Sequence, residues 1–574
     1  MIDSETSRAL DRVFGAPVVP GFGKTCGGSV LASAEFRRVE ALDRVTEEED
    51  LDLVELLTEH LRTSGGTMTL RPIQARALAS LFDYRGLLAA MSVGAGKTLL
   101  SAVAGTLLES ERILLLVPAR LKEKTLRDFA VLSEHWRMSE VRIESYEKIS
   151  RVSGADILAN FRPDLLICDE VQALKNPRAA VTRRVWRFVV EHREEVIFVG
   201  MSGTIASRSL MDLHHILWMS LGPSRMPLPA KTSEAKNWAR CVDLKVTTRA
   251  RPGALATWVE PGEPVTLDSV RAAVGRRIFE TPGVVRTTSD DVGSAILIDA
   301  FVPVLPIEAS SVIDAMIQTK TDPDGEPLLP PDLWRHSRTL ALGFWYRWVE
   351  PGPEDWMDAR RDWRRLVDDI LDQEVAGFDS ELQIANAVRR GKIEDYGRLR
   401  RWTEVRGTFE PVSEPVWICD DILRAVLDSV AAPSILWVDQ VATGRRLEAM
   451  SGLRFFHRLG RDKSGRAIED ADPRESLIAS LASNSEGRNL QAWSRSIYLS
   501  PPSNGKTLEQ SLGRIHRSGQ EADVVEATFV LPHWTARRQF DRAIEDARFI
   551  ESTTSQPQKI LLADDVSASG LINM

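Results

Sequence analysis

Met91-Ser-Val-Gly94-Ala95-Gly96-Lys97-Thr98 brings two glycines, a lysine and a hydroxyl together. Glycines let backbone N–H groups approach an anion, a lysine ammonium reaches phosphate oxygens, and a threonine at a helix N-terminus can ligate Mg2+. The spacing is that of a phosphate-binding loop for ATP, with Met91 where the GxxxxGK[ST] pattern has its first glycine. Asp169 and Glu170 close the apolar run Leu165-Leu-Ile-Cys. One carboxylate in that position can hold the water shell of Mg2+, and the next can polarise an attacking water. Arg514 and Arg517 stand one helical turn apart in Gln510-Ser-Leu-Gly-Arg-Ile-His-Arg-Ser-Gly-Gln520. Guanidinium groups so placed can neutralise the charge that builds on a transferring phosphoryl group.

The elements needed to position these groups are present. Residues 86–91 form a short apolar run and residues 99–109 read as a buried helix, so the loop lies between strand and helix. The run before Asp169 reads as a buried strand, and ligands of parallel sheets sit at the C-terminal ends of strands. Gly21-Phe-Gly-Lys24-Thr25 and Asn504-Gly-Lys506-Thr507 also contain Gly-Lys-Thr. Prolines at 17 and 20 and at 501 and 502 precede them, and neither is expected to form a strand, loop and helix unit. A lysine side and an arginine side so far apart in the chain imply two lobes that close on one nucleotide.

Taken in order, these motifs resemble those of superfamily 2 helicases, most closely the Swi/Snf-type DNA translocase branch, over about residues 67–220 and 430–530. The resemblance implies an α/β fold of two RecA-like doubly wound parallel-sheet lobes with a largely helical insertion between them. It makes Lys97, Glu170, Arg514 and Arg517 catalytic and gives Mg2+ to Thr98 and Asp169. Leu70-Arg-Pro-Ile-Gln74 resembles the adenine-reading element, with Gln74 as base contact beside a nucleotide held by Gly94, Ala95, Gly96, Lys97 and Thr98. Ile113-Leu-Leu-Leu-Val-Pro118-Ala-Arg120 and Glu144-Ser145-Tyr146-Glu147 resemble strand ends that touch the DNA backbone, implying contacts from Pro118, Arg120, Ser145 and Tyr146.

Met201-Ser202-Gly203-Thr204-Ile205 resembles the Thr-Gly-Thr-Pro element that couples hydrolysis to lobe movement, with Ile205 replacing the proline and Ser202 the first threonine. Gln172 and Gln510 are implied coupling residues of the same kind. In the second lobe, Ser434-Ile-Leu-Trp-Val-Asp439 reads as the opening strand. Ser485-Glu486-Gly487-Arg488-Asn489-Leu490-Gln491 resembles the glycine-rich element, implying Gly487 at the nucleotide and Asn489 at the DNA. Glu486 and Arg488 stand where the family more often has smaller residues.

Composition suits an enzyme of this kind. A chain of 574 residues, 43% hydrophobic, can bury two or more cores. The four cysteines form no CxxC pair and accompany no histidine cluster, so no disulfide framework and no structural zinc are expected. No apolar run reaches membrane-spanning length and the first residues lack signal-peptide order, so a cytoplasmic protein without a membrane partner is expected. The net charge of −9 argues against a general nucleic-acid binder, but a translocase needs only a local basic groove.

The expected organisation is an N-terminal extension over 1–66, lobe one over 67–225, a helical insertion over 226–425, lobe two over 426–552 and a polar tail over 553–574. Glu47 to Leu57 suggests a helix in the extension. Within the insertion, Trp356, Trp363, Leu366, Val367 and Ile370 recur at helical spacing between arginines, a helix core with a basic face or else a base-stacking surface. The function expected is an ATP-dependent motor on duplex or single-stranded DNA, with replication, repair or recombination proteins as further partners. An RNA-directed helicase and a non-hydrolysing DNA-binding scaffold are the alternatives. Leu70–Gln74 and Gly513–Gln520 favour DNA, and the presence of every catalytic side chain favours hydrolysis.

Overall fold

The apolar runs expected as strands are buried at essentially every position, as strands covered on both faces must be. A computed structural model describes residues 26–45, 51–92, 94–154, 156–177, 179–203, 209–244, 246, 248–287, 294–325, 328, 330–350, 352–372, 381–430, 432–517, 519–554 and 556–562. The Gly21–Thr25 segment, Glu47 to Asp50, Val93, Thr204, Ile205 and residues 563–574 of the tail lie outside these.

In chain order the strands are β1 (Cys26–Ser29), β2 (Leu87–Ala90), β3 (Ile113–Val117), β4 (Val141–Ser145), β5 (Leu165–Asp169), β6 (Ile197–Ser202), β7 (Arg249–Arg251) and β8 (Val284–Arg286). They continue as β9 (Ala295–Phe301), β10 (Phe344–Trp348), β11 (Ser413–Trp417), β12 (Ile435–Val438), β13 (Phe455–Phe456), β14 (Leu477–Ser480), β15 (Arg495–Tyr498) and β16 (Val524–Val530).

The first lobe is a six-stranded sheet in the order β4-β3-β5-β6-β2-β8, parallel throughout. Successive side chains of a strand point to opposite faces, so each strand feeds two cores. Leu88, Ala90, Leu114 and Leu116 join Phe36, Trp238 and Ile278 on one face, while Leu87, Ala89, Ile113 and Leu115 join Leu78, Leu81 and Val103 on the other. The second lobe is a six-stranded sheet in the order β13-β14-β12-β15-β16-β9. Register places Trp437 beside Tyr498 and Tyr498 beside Phe529, and their rings stack at 6.1 and 4.7 Å between centroids. Both lobes are thus doubly wound α/β domains of RecA-like type.

Where the sequence predicts one insertion over 226–425, the strand pairing divides it. β8 completes the first sheet beside β2, and β9 edges the second beside β16. A three-residue strand such as β8 has no periodicity to show in the sequence. The expected separate extension also changes. β1 pairs with β7, Phe36 stacks on Trp258 at 5.1 Å, and the helix Leu51–Leu61 puts Leu57 and Leu61 into the core of the first lobe.

The chain divides into two compact units, and both lobes fall within one of them. The other comprises residues 301–431 and 530–537. It contains the antiparallel pair β10 and β11 and helices including Ile307–Thr319, Glu354–Asp372 and Arg398–Val405. Trp356 and Trp363 are buried, so the tryptophan stripe is helix core. Arg361, Arg364 and Arg401 pair with Asp358, Asp332 and Asp362 of the same unit.

Candidate nucleotide site and its flanks

β2 ends at Ala90, and the helix Lys97–Leu108 begins after the glycine loop. Gly94 and Gly96 have φ of +94° and +83°, a region that favours glycine. A Cβ on Gly96 would also run into the amide of Gln74. Three side chains fasten the loop. Gln74 Nε2 donates to Ala95 O at 3.1 Å, an Arg71 nitrogen donates to Gly94 O at 2.9 Å, and Ser92 N donates to Thr287 Oγ1 at 3.1 Å.

Gln74 Oε1 accepts from Arg71 N at 2.9 Å, which ties the start of its own helix. The Gln74 amide, expected at adenine, thus bonds both the loop and the start of its own helix. Lys97 Nζ lies in the cradle, donating to Met91 O at 2.9 Å and Ser92 O at 3.1 Å. Burial draws its pKa down, while Glu170 and Asp169 oppose the shift. Thr98 is half-buried in the first turn of the same helix.

Register brings the other first-lobe strand ends to this edge, with Ala90 beside Ser202 and Asp169 beside Met201. Burial, then the neighbouring Glu170, pushes the Asp169 carboxyl up to about 6, against the pull of Lys97. Glu170 follows with φ +52°, a left-handed conformation that costs a non-glycine residue roughly 1–2 kcal/mol and often marks a functional turn. Gln172 Nε2 donates to Glu170 Oε2 and fixes its carboxylate, while the buried Gln172 Oε1 has no hydrogen-bond partner among the described residues. Ser202 and Gly203 are buried at the end of β6, and Thr204 lies outside the described residues.

Arg514 and Arg517 approach from the second lobe. Arg514 Nε donates to Gln510 O at 2.8 Å, and one nitrogen of each guanidinium donates to Arg488 O, at 3.1 and 3.3 Å. Arg517 also donates to Asn489 Oδ1 at 2.6 Å. Burial and then Arg517 lower Arg514 to about 10. Arg517 lies against the glycine loop, its Cβ 3.7 Å from where a Cβ on Gly94 would stand. Its Nε is buried with no hydrogen-bond partner among the described residues. Lys97, Asp169, Glu170, Arg514 and Arg517 thus share one electrostatic neighbourhood.

Gly487, at φ +72°, packs under Leu121 of the first lobe, where a Cβ would collide with that side chain. Gln510 is buried in the helix Gly505–Leu512.

The expected nucleic-acid contacts separate. Pro118 follows β3, and Arg120 is partly exposed on the turn after it. Asn489 is exposed but bonded to Arg517. Ser145 and Tyr146 are buried, contrary to expectation. Ser145 Oγ accepts from Lys148 N to cap a short helix, and Tyr146 Oη donates to Asp169 O at 2.7 Å. A strand end followed by Tyr, as in Glu144-Ser145-Tyr146, reads alike whether those side chains face solvent or the neighbouring strand. Tyr146 accordingly supports the acid-bearing turn from below.

Asn504-Gly-Lys506-Thr507 does stand between a strand, β15, and a helix, contrary to the expectation from its prolines. Its leading amides are already taken, Thr507 N by Asn504 Oδ1 at 2.8 Å and Gly505 N by Asp546 Oδ2 at 3.3 Å. The sequence reading also missed Arg71 and Thr287 as loop clamps. Arg71 stood in a quoted motif without a role, and nothing local signals Thr287.

No protein-family model matches the chain. Among solved structures it is similar to the Sulfolobus solfataricus SWI2/SNF2 ATPase core in complex with dsDNA, at 14% identity and a TM-score of 0.30, over 88% of this chain and 95% of that one. The RecA-like assignment of the two lobes rests on their strand order.

Proposed function

We propose that the chain is a nucleic-acid-dependent ATPase, a Swi/Snf-like superfamily 2 motor that couples ATP hydrolysis to movement along DNA. The observation that carries this reading is the packing of Arg517, from the second lobe, on Gly94 of the loop that holds Lys97, at the sheet edge where β5 ends in Asp169, followed by Glu170. Arg517 Nε, buried and without a hydrogen-bond partner among the described residues, supports it, since a buried unpaired donor costs about 1–3 kcal/mol.

The donor set fits Mg2+. Asp169 and the Thr98 hydroxyl offer hard oxygens, and Mg2+ is commonly held by one or two carboxylates together with substrate phosphates and water. ATP with Mg2+ supplies the phosphoanhydride bond and a neutralising divalent charge when bound. Lys97 then exchanges the Met91 and Ser92 carbonyls for phosphate oxygen, carrying its charge to the anion. Glu170, held by Gln172, orients the attacking water and takes its proton. Arg514 and Arg517 bring positive charge from the other lobe, so closure completes the site and product release reopens it.

Steady-state ATP hydrolysis with no nucleic acid, single-stranded DNA, duplex DNA or RNA, beside Glu170→Gln, tests the reading. Stimulation by DNA that the variant loses is expected. Stimulation by RNA alone would redirect the reading to an RNA motor, and hydrolysis under none of these conditions would overturn it.

A further inference from the structure

We propose that Arg120 and Lys506 are the two halves of a phosphodiester site split between the lobes, and that the Glu486 carboxylate occupies this site until a nucleic-acid strand displaces it. The inference rests on the nucleic-acid-driven reading above. It adds to that reading a second-lobe cation and an internal competitor.

Glu486 Oε2 pairs with the Arg120 guanidinium, and Glu486 Oε1 lies 3.6 Å from Lys506 Nζ. One oxygen to each cation is the arrangement the two non-bridging oxygens of a phosphodiester take, with the same single negative charge. The partners come from three elements, the turn after β3, the loop after β14 and the first turn of the helix Gly505–Leu512. Exposure grades across them, with 44% for the Arg120 side chain, 27% for Lys506 and 14% for Glu486. A strand arriving from solvent therefore meets the cations before the carboxylate.

Two cations share this one carboxylate, and Glu147 also faces Arg120. Burial draws both cations below their ordinary pKa values, and Glu170 is the largest charge opposing that shift for each. A single side chain competes poorly here with a polyanion, which brings further phosphates to other cations and releases its counterions.

Displacement would be felt at the nucleotide. Glu486 directly precedes Gly487, which packs on Leu121, and Arg488, whose carbonyl holds both Arg514 and Arg517. Drawing Glu486 away loosens the segment that tethers the two arginines. Nucleic acid would thereby free them for phosphate.

The test is a fluorescence-anisotropy titration of labelled single-stranded and duplex DNA with wild type, Glu486→Gln and Lys506→Gln over a salt series. Inorganic phosphate serves as competitor, and thermal melts check folding. Glu486→Gln is expected to bind DNA roughly two- to fivefold tighter, the size of an exposed ion pair removed. Lys506→Gln is expected to bind more weakly, with the slope of log Kobs against log salt shallower by about 0.7–0.9.

Unchanged affinity and slope for Lys506→Gln would overturn the site, and that variant carries the test if Glu486→Gln melts early. Tighter competition by inorganic phosphate in Glu486→Gln, without tighter DNA binding, would assign the cations to free phosphate and overturn the nucleic-acid assignment. If the binding differences appear but no nucleic acid stimulates hydrolysis, the split site stands and the motor reading fails. Stimulated hydrolysis with both variants unmoved in binding gives the reverse.

Discussion

The two sides of the candidate nucleotide site are held in different ways. On the first lobe the glycine loop is fastened by Gln74, Arg71 and Thr287, and Asp169 and Glu170 stand at a strand end supported by Tyr146 and Gln172. On the second lobe both arginines lean on the single carbonyl of Arg488, with Gln510 O and Asn489 Oδ1 as their other acceptors. The framework of the first side is built from contacts that can stay in place while Lys97 changes partners. The second is tethered through contacts that an incoming phosphate can replace. The proposed motor would need this division, because one lobe would have to keep the nucleotide while the other moves.

The largest expected effect tests the exchangeable side. Arg517→Ala should lower the nucleic-acid-stimulated kcat by about 10³–10⁵, with the KM for ATP little changed. Near-normal turnover would mean that the arginine only braces the lobe. On the prebuilt side, Glu170→Gln should cost about 10²–10⁴ in kcat while leaving nucleotide binding intact, measured by single-turnover hydrolysis beside equilibrium binding.

Acid should act on the prebuilt side as well. Asp169 is raised to about 6, so its proton returns as pH falls through that value. The kcat/KM for ATP should then drop about tenfold per pH unit below it, and a profile flat to pH 5 would remove Asp169 from the free enzyme's essential groups. The same upward shift means that ionised Asp169 destabilises the nucleotide-free fold. Its contribution to stability should fall as pH rises from the ordinary carboxylate range to about 6, checked by melting curves.

The smallest effect concerns the loop clamp. Gln74→Ala removes one buried bond to the loop and should raise the KM for ATP roughly five- to tenfold, about 1 kcal/mol, with kcat nearly kept. A loss confined to kcat would show that the loop does not need this fastening to bind.

Local chemistry made most of the first side readable. A glycine loop between strand and helix, and two acids at the end of an apolar run, need only neighbours in sequence to declare themselves. The arginine pair was readable for the same reason, although its tether to Arg488 was not. The burial of Ser145 and Tyr146 was not readable, because a strand-end side chain faces solvent or core according to what lies beside the strand. Glu486 drew notice only as an unusual residue, and Lys506 only as part of a Gly-Lys-Thr that fails as a phosphate loop. Their meeting with Arg120 joins segments hundreds of residues apart, and no spacing encodes it.

The sequence by itself determined the parallel-sheet lobes, the loop with its lysine, the paired acids and the two arginines, because periodicity and motif spacing follow from backbone geometry over a few residues. Only the tertiary structure decided that β8 and β9 complete the two sheets, that Gln74 clamps the loop, and that Glu486 stands between Arg120 and Lys506. These depend on which distant segments pack together, and packing of the whole chain settles that.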